Sequence, residues 1–371
     1  MIDLSLFLHL SAFEYAIVAL LLISFIIQQL YIWNVYGRVA FYKRKKKAAA
    51  PAEKEGVSII ICARNEREQL DKHLSLFLAQ DYPKYEVVLI NDCSEDESEL
   101  LLGVMKSQYT NLEVRHIPKD DKFKHGKPMA LGVGIKAAKY DWLLFADIDC
   151  APHPEWLSSM QENFTPKTAV VLGYASYPKA SAFIRCDMFY SALHYLGFAL
   201  MKKPYMANGK NYAYRRKLFF DSKGFDIRMT KEREDIVFVN KIANKTNTFV
   251  ELKPASLLKS TRRFTYKEWK QHKLSRRKSF RFHGSKTQHP ALLDNISMLL
   301  LITTAIALCT YGVTMSIFAA ALILIYFTSL AIVLTNACKK LVEHKLLTNL
   351  IFYSILKPFV SIMVCLQRNK K

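Results

Sequence analysis

The strongest constraint on this chain is a set of apolar runs long enough to cross a bilayer. Phe13 to Trp33 reads FEYAIVALLLISFIIQQLYIW, and near the other end Ala291 to Thr310 and Val313 to Leu334 follow one another closely. About 20 apolar residues at helical rise cover the ~30 Å hydrocarbon core, and a helix satisfies its own backbone there. No lysine or arginine precedes the first run, whereas Lys-Arg-Lys-Lys-Lys (43–47) follows it. A secretory signal carries its charges on the opposite flank and ends in a small-residue cleavage site. The first run is therefore expected to be an uncleaved anchor, with its N-terminus outside and the chain after it starting in the cytoplasm.

The two later runs, separated by a short tip at Tyr311 and Gly312, predict a transmembrane hairpin closed on the cytoplasmic side by Lys339 and Lys340. A last apolar stretch, Leu346 to Leu366, holds Lys357-Pro358 in its middle and is followed by QRNKK. A true span would put that basic tail outside, so the charge rule favours an interfacial or re-entrant segment over a spanning one. The expected organisation is an anchor (1–40), a basic linker (41–56), a catalytic domain (57–260), basic interfacial helices (261–290), the hairpin (291–336) and the C-terminal segment (343–371). At 51% hydrophobic residues the 371-residue chain fits an integral membrane protein with a substantial soluble part. Its seven cysteines form no Cys-x-x-Cys pair, which speaks against a zinc site or a disulfide framework and for a reducing compartment.

Between the membrane elements, Val57 to about Leu258 alternates apolar runs with amphipathic ones. VSIIICA (57–63), YEVVLIND (85–92), LEVRHI (112–117), DWLLFAD (141–147) and AVVLGYAS (169–176) read as short buried strands; 68–79 and 128–138 read as helices between them. That alternation predicts an α/β domain with a mostly parallel sheet, in which ligands sit beyond the carboxyl ends of the strands. Three such ends carry polar clusters: Arg64-Asn65-Glu66, Asn91-Asp92 with Ser94-Glu95-Asp96, and Asp147-Ile148-Asp149. Any one of them could be a helix N-cap, for which Asp and Asn are favoured. Three on one edge point to a site.

In extended backbone, residues two apart point the same way, so Asp147 and Asp149 are expected to converge just past their strand. Like charges that close repel unless a cation lies between them, and oxygen ligands suit Mg²⁺ or Mn²⁺, which also take phosphate oxygens. The pair predicts a metal–diphosphate site. A nucleotide diphosphate leaves readily once its charge is neutralised, and a carboxylate across the sugar can take the proton of an attacking hydroxyl, with inversion at the anomeric carbon. Asp235 is the candidate for that base; alternatively Glu234-Asp235 are solvated acids at a helix start.

The order SIIICARNE (58–66), VVLINDCSED (87–96), GKPMALGVGIKAAKYDWLLFADID (126–149), NGKNYAYRR (208–216) and EREDIVFVNKIA (232–243) resembles the membrane-anchored family 2 glycosyltransferases of the GT-A fold, over roughly residues 57–283. The resemblance implies that Ala63, Asn65 and Glu66 border the nucleotide, that Asp92 bonds the base, normally uracil, and that Lys127 lines the donor pocket near the diphosphate. It implies that Asp147 and Asp149 form the DxD pair, with Asp149 the firmer metal ligand, and that Asp235, beside Glu234, holds the position of the general base. It puts NGKNYAYRR and Glu234 on the acceptor side. There Gly209 allows close backbone approach, Tyr212 and Tyr214 could stack on sugar or lipid, and Arg215 or Arg216 could pair with phosphate; a basic surface helix start is the other reading.

Many membrane-bound members carry Q/R-x-x-R-W before their C-terminal spans. The nearest match here is Lys273-Leu274-Ser275-Arg276-Arg277, which departs at its first and last positions and leaves Arg276 and Arg277 as candidates for holding the donor. The expected partners are thus a nucleotide sugar, a lipid-linked or membrane-proximal glycan acceptor and the cell membrane, with the catalytic domain cytoplasmic. The departure, with few spans for a secretion pore, favours addition of one or a few sugars. The rivals are a processive polysaccharide synthase of the same family and a non-catalytic membrane scaffold. A formal net charge of +21 could suggest nucleic acid, but the basic residues cluster beside apolar segments, where topology and anionic headgroups account for them, and nucleic acid is not expected as a partner.

Overall fold

The structure is a computed structural model and describes residues 11–43, 54–120, 125–225, 233–280 and 290–367. The basic run 44–53 of the expected linker, residues 281–289 and the tail 368–371 lie outside the described residues. The chain divides into two compact units, residues 1–42 with 285–371, and residues 43–284.

In the first unit four helices are long and apolar enough to cross a membrane: Ala12–Ala40, Ala291–Tyr311, Val313–Lys340 and Leu347–Leu366. The first opens on a capping box, in which Ser11 Oγ accepts from the Glu14 amide at 3.3 Å and the Glu14 carboxylate accepts from the Ser11 amide at 2.7 Å. The last runs unbroken through Pro358, in contrast to the re-entrant segment that its lysine and basic tail suggest. What makes Lys357 tolerable there is a partner 63 residues away: its Nζ lies 2.5 Å from Asp294 Oδ2, which also accepts from the Tyr36 hydroxyl at 2.6 Å. Gln28 Nε2 adds bonds to Asp294 O at 2.8 Å and Ser297 Oγ at 2.8 Å. A charge among membrane helices is expensive unless it is paired inside the bundle, and here three helices supply the pairing.

The second unit is built on a seven-stranded sheet in the order β3-β2-β1-β4-β8-β6-β9. Its strands are β1 (Val57–Ala63), β2 (Tyr85–Asp92), β3 (Leu112–Ile117), β4 (Trp142–Phe145), β6 (Val170–Leu172), β8 (Tyr212–Arg215) and β9 (Thr248–Val250). β1 pairs in parallel with β2 and β4, β2 with β3, and β6 with β9; only β8 runs antiparallel, against β4 and β6. Three short strands, β5 (Cys150–Ala151), β7 (Ala175–Ser176) and β10 (Leu258–Ser260), form a second sheet in the order β5-β10-β7.

The alternation within β1 decides which helix covers which face. Ile59 and Ile61 belong to the core that Leu70, Leu74 and Phe77 of the helix Arg67–Leu78 complete. Ile60, one residue out of phase, points at the helix Lys127–Ala137, where a Cβ on Gly134 would meet Ile90 Cδ1 at 2.5 Å and Ile60 Cγ2 at 3.0 Å. The strand is therefore buried on both faces and reads as a continuous apolar run. Each such side chain removed from water contributes roughly 1.5–3 kcal/mol.

The expected strand 169–176 is divided into β6 and β7. Asn211, fully buried, drives the chain apart there: its Nδ2 donates to Tyr174 O and to Ser256 O, both at 2.8 Å, and its Oδ1 accepts from Trp156 Nε1 at 3.2 Å. A Cβ at Gly173 would lie 2.6 Å from Asn211 Cγ, so the amide needs a glycine beside it.

Candidate active site

Three parallel strand ends open onto one place. After β1 the backbone turns at Asn65, which has φ +54°. The Asn65 amide donates to Ser94 Oγ at 2.9 Å and its side-chain oxygen accepts from the Glu95 amide at 2.8 Å. The loops after β1 and β2 are thereby fastened to each other, which is the work Asn65 does. Asp92 ends β2 buried, with Oδ1 3.1 Å from His125 Nδ1. Gly126, at φ +153°, a conformation that L side chains rarely adopt, then leads into the helix that starts with Lys127 and Pro128.

β4 stops at Phe145, two residues short of the sequence expectation, so Asp147 and Asp149 lie in a turn and not on extended backbone. They converge nonetheless: the Cys150 amide closes the turn on Asp147 O at 3.1 Å, and the Thr261 amide, just after β10, donates to Asp149 O at 2.8 Å. Lys210 Nζ sits between the carboxylates, 2.9 Å from Asp147 Oδ2 and 2.6 Å from Asp149 Oδ1. Two carboxylates already gathered on one positive charge are an oxygen donor set that fits a divalent cation.

Burial alone would raise the carboxyl of Asp147, but the ammonium groups of Lys127, 2.6 Å away, and Lys210 outweigh it and hold it well below the usual carboxylate range. Burial and then the charges of Asp147 and Asp149 push Glu66 up to about 7. Lys127, whose Nζ is also 3.8 Å from Glu234 Oε1, is kept protonated by Asp147 and Glu234 against its own desolvation. Glu234 is itself raised by burial, with Lys127 opposing.

Two cavities meet at this cluster. One, of about 330 Å³, is lined by Ala63, Glu66, Asp92, Lys127, Asp147, Asp149 and Lys210. The other, of about 400 Å³, shares Lys127, Asp147, Asp149 and Lys210 and adds Tyr177, Gly209, Arg233, Glu234, Asp235, Phe264 and His272. Asp235 is buried and clamped by Arg233, Nε to Oδ1 at 3.0 Å and Nη2 to Oδ2 at 2.5 Å. A Cβ on Gly209 would lie 3.0 Å from Asp235 Oδ2, so the glycine keeps the space over that carboxylate open.

The rest of NGKNYAYRR goes elsewhere. β8 runs antiparallel to β4, so the chain leaves the site as it enters the strand. Tyr212 and Tyr214 are buried against Phe145 with ring centroids 4.7 Å apart in each case, as part of the core. Arg215 reaches the opposite end of β4, where it bonds Asp141 at 2.8 Å and Glu55 at 3.2 Å and lies over the Trp142 ring at 4.6 Å. Arg216 donates to Ile135 O at 3.0 Å and Lys136 O at 3.2 Å. Tyr212, Arg215 and Arg216 line neither cavity.

Nor do Arg276 and Arg277. Arg276 bonds Ser191 Oγ and lies over Phe280. Their helix, Tyr266–Ser279, presents His272 instead, which burial and the nearby charges of Arg233, Arg276 and Lys273 keep neutral. It is held by Asp187, which accepts from Trp269 Nε1 and Lys273 Nζ, both at 2.8 Å. Sequence reasoning passed over Lys210, Arg233 and His272. Lys210 and Arg233 lie inside motifs already singled out, NGKNYAYRR and EREDIVFVNKIA, and His272 has only its place beside Lys273–Arg277 as a signal.

Comparison with known proteins bears on the family and the fold of the domain that carries this site. Residues 58–221 match the family described as Glycosyl transferase family 2. Over 152 residues, 38% of this chain, the sequence is 32% identical to the poly-beta-1,6-N-acetyl-D-glucosamine synthase of Staphylococcus aureus, and over 103 residues it is 35% identical to the glycosyltransferase AglE of Haloferax volcanii. The match spans 36% of the synthase and 33% of AglE, about a third of each. The mannosyltransferase PcManGT of Pyrobaculum calidifontis, solved with GDP-Man and Mn²⁺, shares the fold, with a TM-score of 0.58 at 19% identity over 90% of this chain and 99% of its own. By the match over residues 58–221, the parallel sheet and the α/β architecture, this chain carries a glycosyl transferase family 2 domain with the GT-A fold.

Proposed function

We propose that the protein is a membrane-bound inverting glycosyltransferase that moves a sugar from a nucleotide diphosphate, a UDP-sugar by the reading of Asp92, to a lipid-linked or membrane-proximal glycan. The observation that carries this is the meeting of two cavities at Asp147 and Asp149, one bordered by the β1 and β2 ends, the other by Asp235. The donor occupies the first, with Ala63, Glu66 and Asp92 around the nucleotide and Lys127 at the diphosphate. Mg²⁺ or Mn²⁺ held by Asp147 and Asp149 would offset the charge that builds on the departing diphosphate. The acceptor hydroxyl enters the second cavity and gives its proton to Asp235 as it attacks the anomeric carbon from the face opposite the nucleotide. Gly209 leaves room for it, and neutral His272 offers a hydrogen-bonding partner without adding charge. The four apolar helices keep the enzyme at the membrane, with the catalytic domain on the cytoplasmic side.

A screen of purified full-length protein against UDP- and GDP-sugars, with Mn²⁺ or Mg²⁺ and with or without membrane lipid extract, tests this. Nucleotide release that needs one donor and the extract is the expected result, and Asp149→Asn should abolish it. No release from any donor would refute the proposal. A second reading, a processive polysaccharide synthase, is favoured by the name of the Staphylococcus aureus relative. Long polymer made from donor alone in proteoliposomes would select it.

A further inference from the structure

Every carboxylate oxygen of the Asp147–Asp149 pair already has a donor. Lys127 Nζ bonds Asp147 Oδ1 at 2.6 Å. Lys210 Nζ lies 2.9 Å from Asp147 Oδ2 and donates to Asp149 Oδ1 at 2.6 Å and to Asp149 Oδ2 at 2.8 Å. Ser260 Oγ adds a bond to Asp149 Oδ2 at 2.8 Å, and Cys150 Sγ a weak one to Asp149 Oδ1 at 3.4 Å. Among these only Lys210 touches both carboxylates, so it stands where an ion shared by the pair would sit. Metal–oxygen bonds of about 2.1 Å leave no room for an ammonium on the same lone pairs. One of the two has to give way.

We propose that Lys210 is the resident counter-cation of the Asp147–Asp149 pair, displaced when a metal–nucleotide complex enters, and that its ammonium then passes to the diphosphate oxygens. The proposal rests on the glycosyltransferase reading above. The surroundings suit such an exchange. The backbone under Lys210 is fixed, since its amide donates to Asn208 Oδ1 at 3.1 Å and its neighbour Asn211 is anchored in the core. Its side chain lines both cavities, and the Tyr177 ring, 5.9 Å from Nζ, offers a cation a second resting place. The exchange couples the two ligands: metal alone must evict an ammonium with nowhere better to go, whereas the diphosphate supplies the evicted ammonium with new partners.

The test is Mn²⁺ binding to the full-length protein, read from the free-ion paramagnetic resonance signal with and without UDP. Lys210→Met should bind Mn²⁺ alone at least fivefold more tightly than the wild type, and UDP should then improve Mn²⁺ binding less than it does in the wild type. Lys210→Arg, which keeps the charge, should behave as the wild type. Lys210→Gln provides a second neutral form should the Met variant not fold. Mn²⁺ affinity in the neutral forms that is unchanged, weaker or raised less than fivefold overturns the proposal while leaving the glycosyltransferase reading intact. If the wild type binds no Mn²⁺ even with UDP or GDP, both fall together.

Discussion

Asp235→Asn separates the proposed base from everything around it. The carboxylate is 1% exposed, and Arg233 reaches both of its oxygens. Asparagine keeps the shape and one carbonyl oxygen for the guanidinium but cannot accept the acceptor's proton. Losing a positioned general base costs 10²–10⁴ in rate, or about 3–5 kcal/mol on the barrier. The stability cost is smaller. One charge-assisted hydrogen bond is lost, worth roughly 1.5–3 kcal/mol, and with the Arg233 side chain 22% exposed, water takes up part of it and places the loss at the low end. The assay is initial rate at saturating donor with the acceptor found in the screen, beside a separate titration of UDP. We expect kcat to fall at least a hundredfold while the nucleotide Kd stays within threefold. A variant within tenfold of the wild-type kcat would refute the base assignment, and a parallel loss of nucleotide affinity would move Asp235 to the donor side.

Three further outcomes follow from the same geometry. Gly209→Val, which pushes a branched side chain into a space bounded by Asp235 Oδ2 at 3.0 Å from the first added carbon, should raise the acceptor KM more than tenfold with little change in nucleotide binding; unaltered acceptor kinetics would count against the second cavity as the acceptor's place. Asp187→Ala strands the indole N–H of fully buried Trp269 together with Lys273, a loss of about 2–4 kcal/mol that should lower the melting temperature by several degrees. Glu66 holds its proton up to about 7 against an ordinary 4.5, so the folded state binds that proton more tightly than the unfolded chain does. Its contribution is complete below about pH 4.5 and is lost as the pH rises through about 7, with a ceiling of about 3 kcal/mol. Metal-free protein should thus lose stability from pH 5 to 8 in denaturant titrations, and Glu66→Gln should flatten that slope.

Much of the fold was legible because it rests on periodicity. β1, β2 and β3 begin and end where their apolar runs do, and the helices 67–78 and 127–137 fall within one residue of their expected bounds. β4 and the strand over 169–176 are shorter than their apolar runs, because hydrophobicity continues past the point where a turn and a buried amide end the pairing. Within the site, the residues that close parallel strands were readable from order alone, since every parallel strand delivers its carboxyl end to the same edge. The motif around Tyr212 misled for the converse reason: a single antiparallel strand carries one end of a motif to the site and the other end away from it.

What the sequence determined by itself was composition and phase: which runs are apolar enough to cross a bilayer, which strands are buried on two faces, and which acidic residues stand at strand ends. Tertiary structure alone decided the partners. Lys357 is an anomaly in its own helix until Asp294 is brought against it, and Lys210 is one lysine among many until a turn 61 residues earlier places two carboxylates around it. Ion pairing acts over a few ångströms whatever the separation along the chain, so hydropathy and spacing cannot reveal which distant charges will meet.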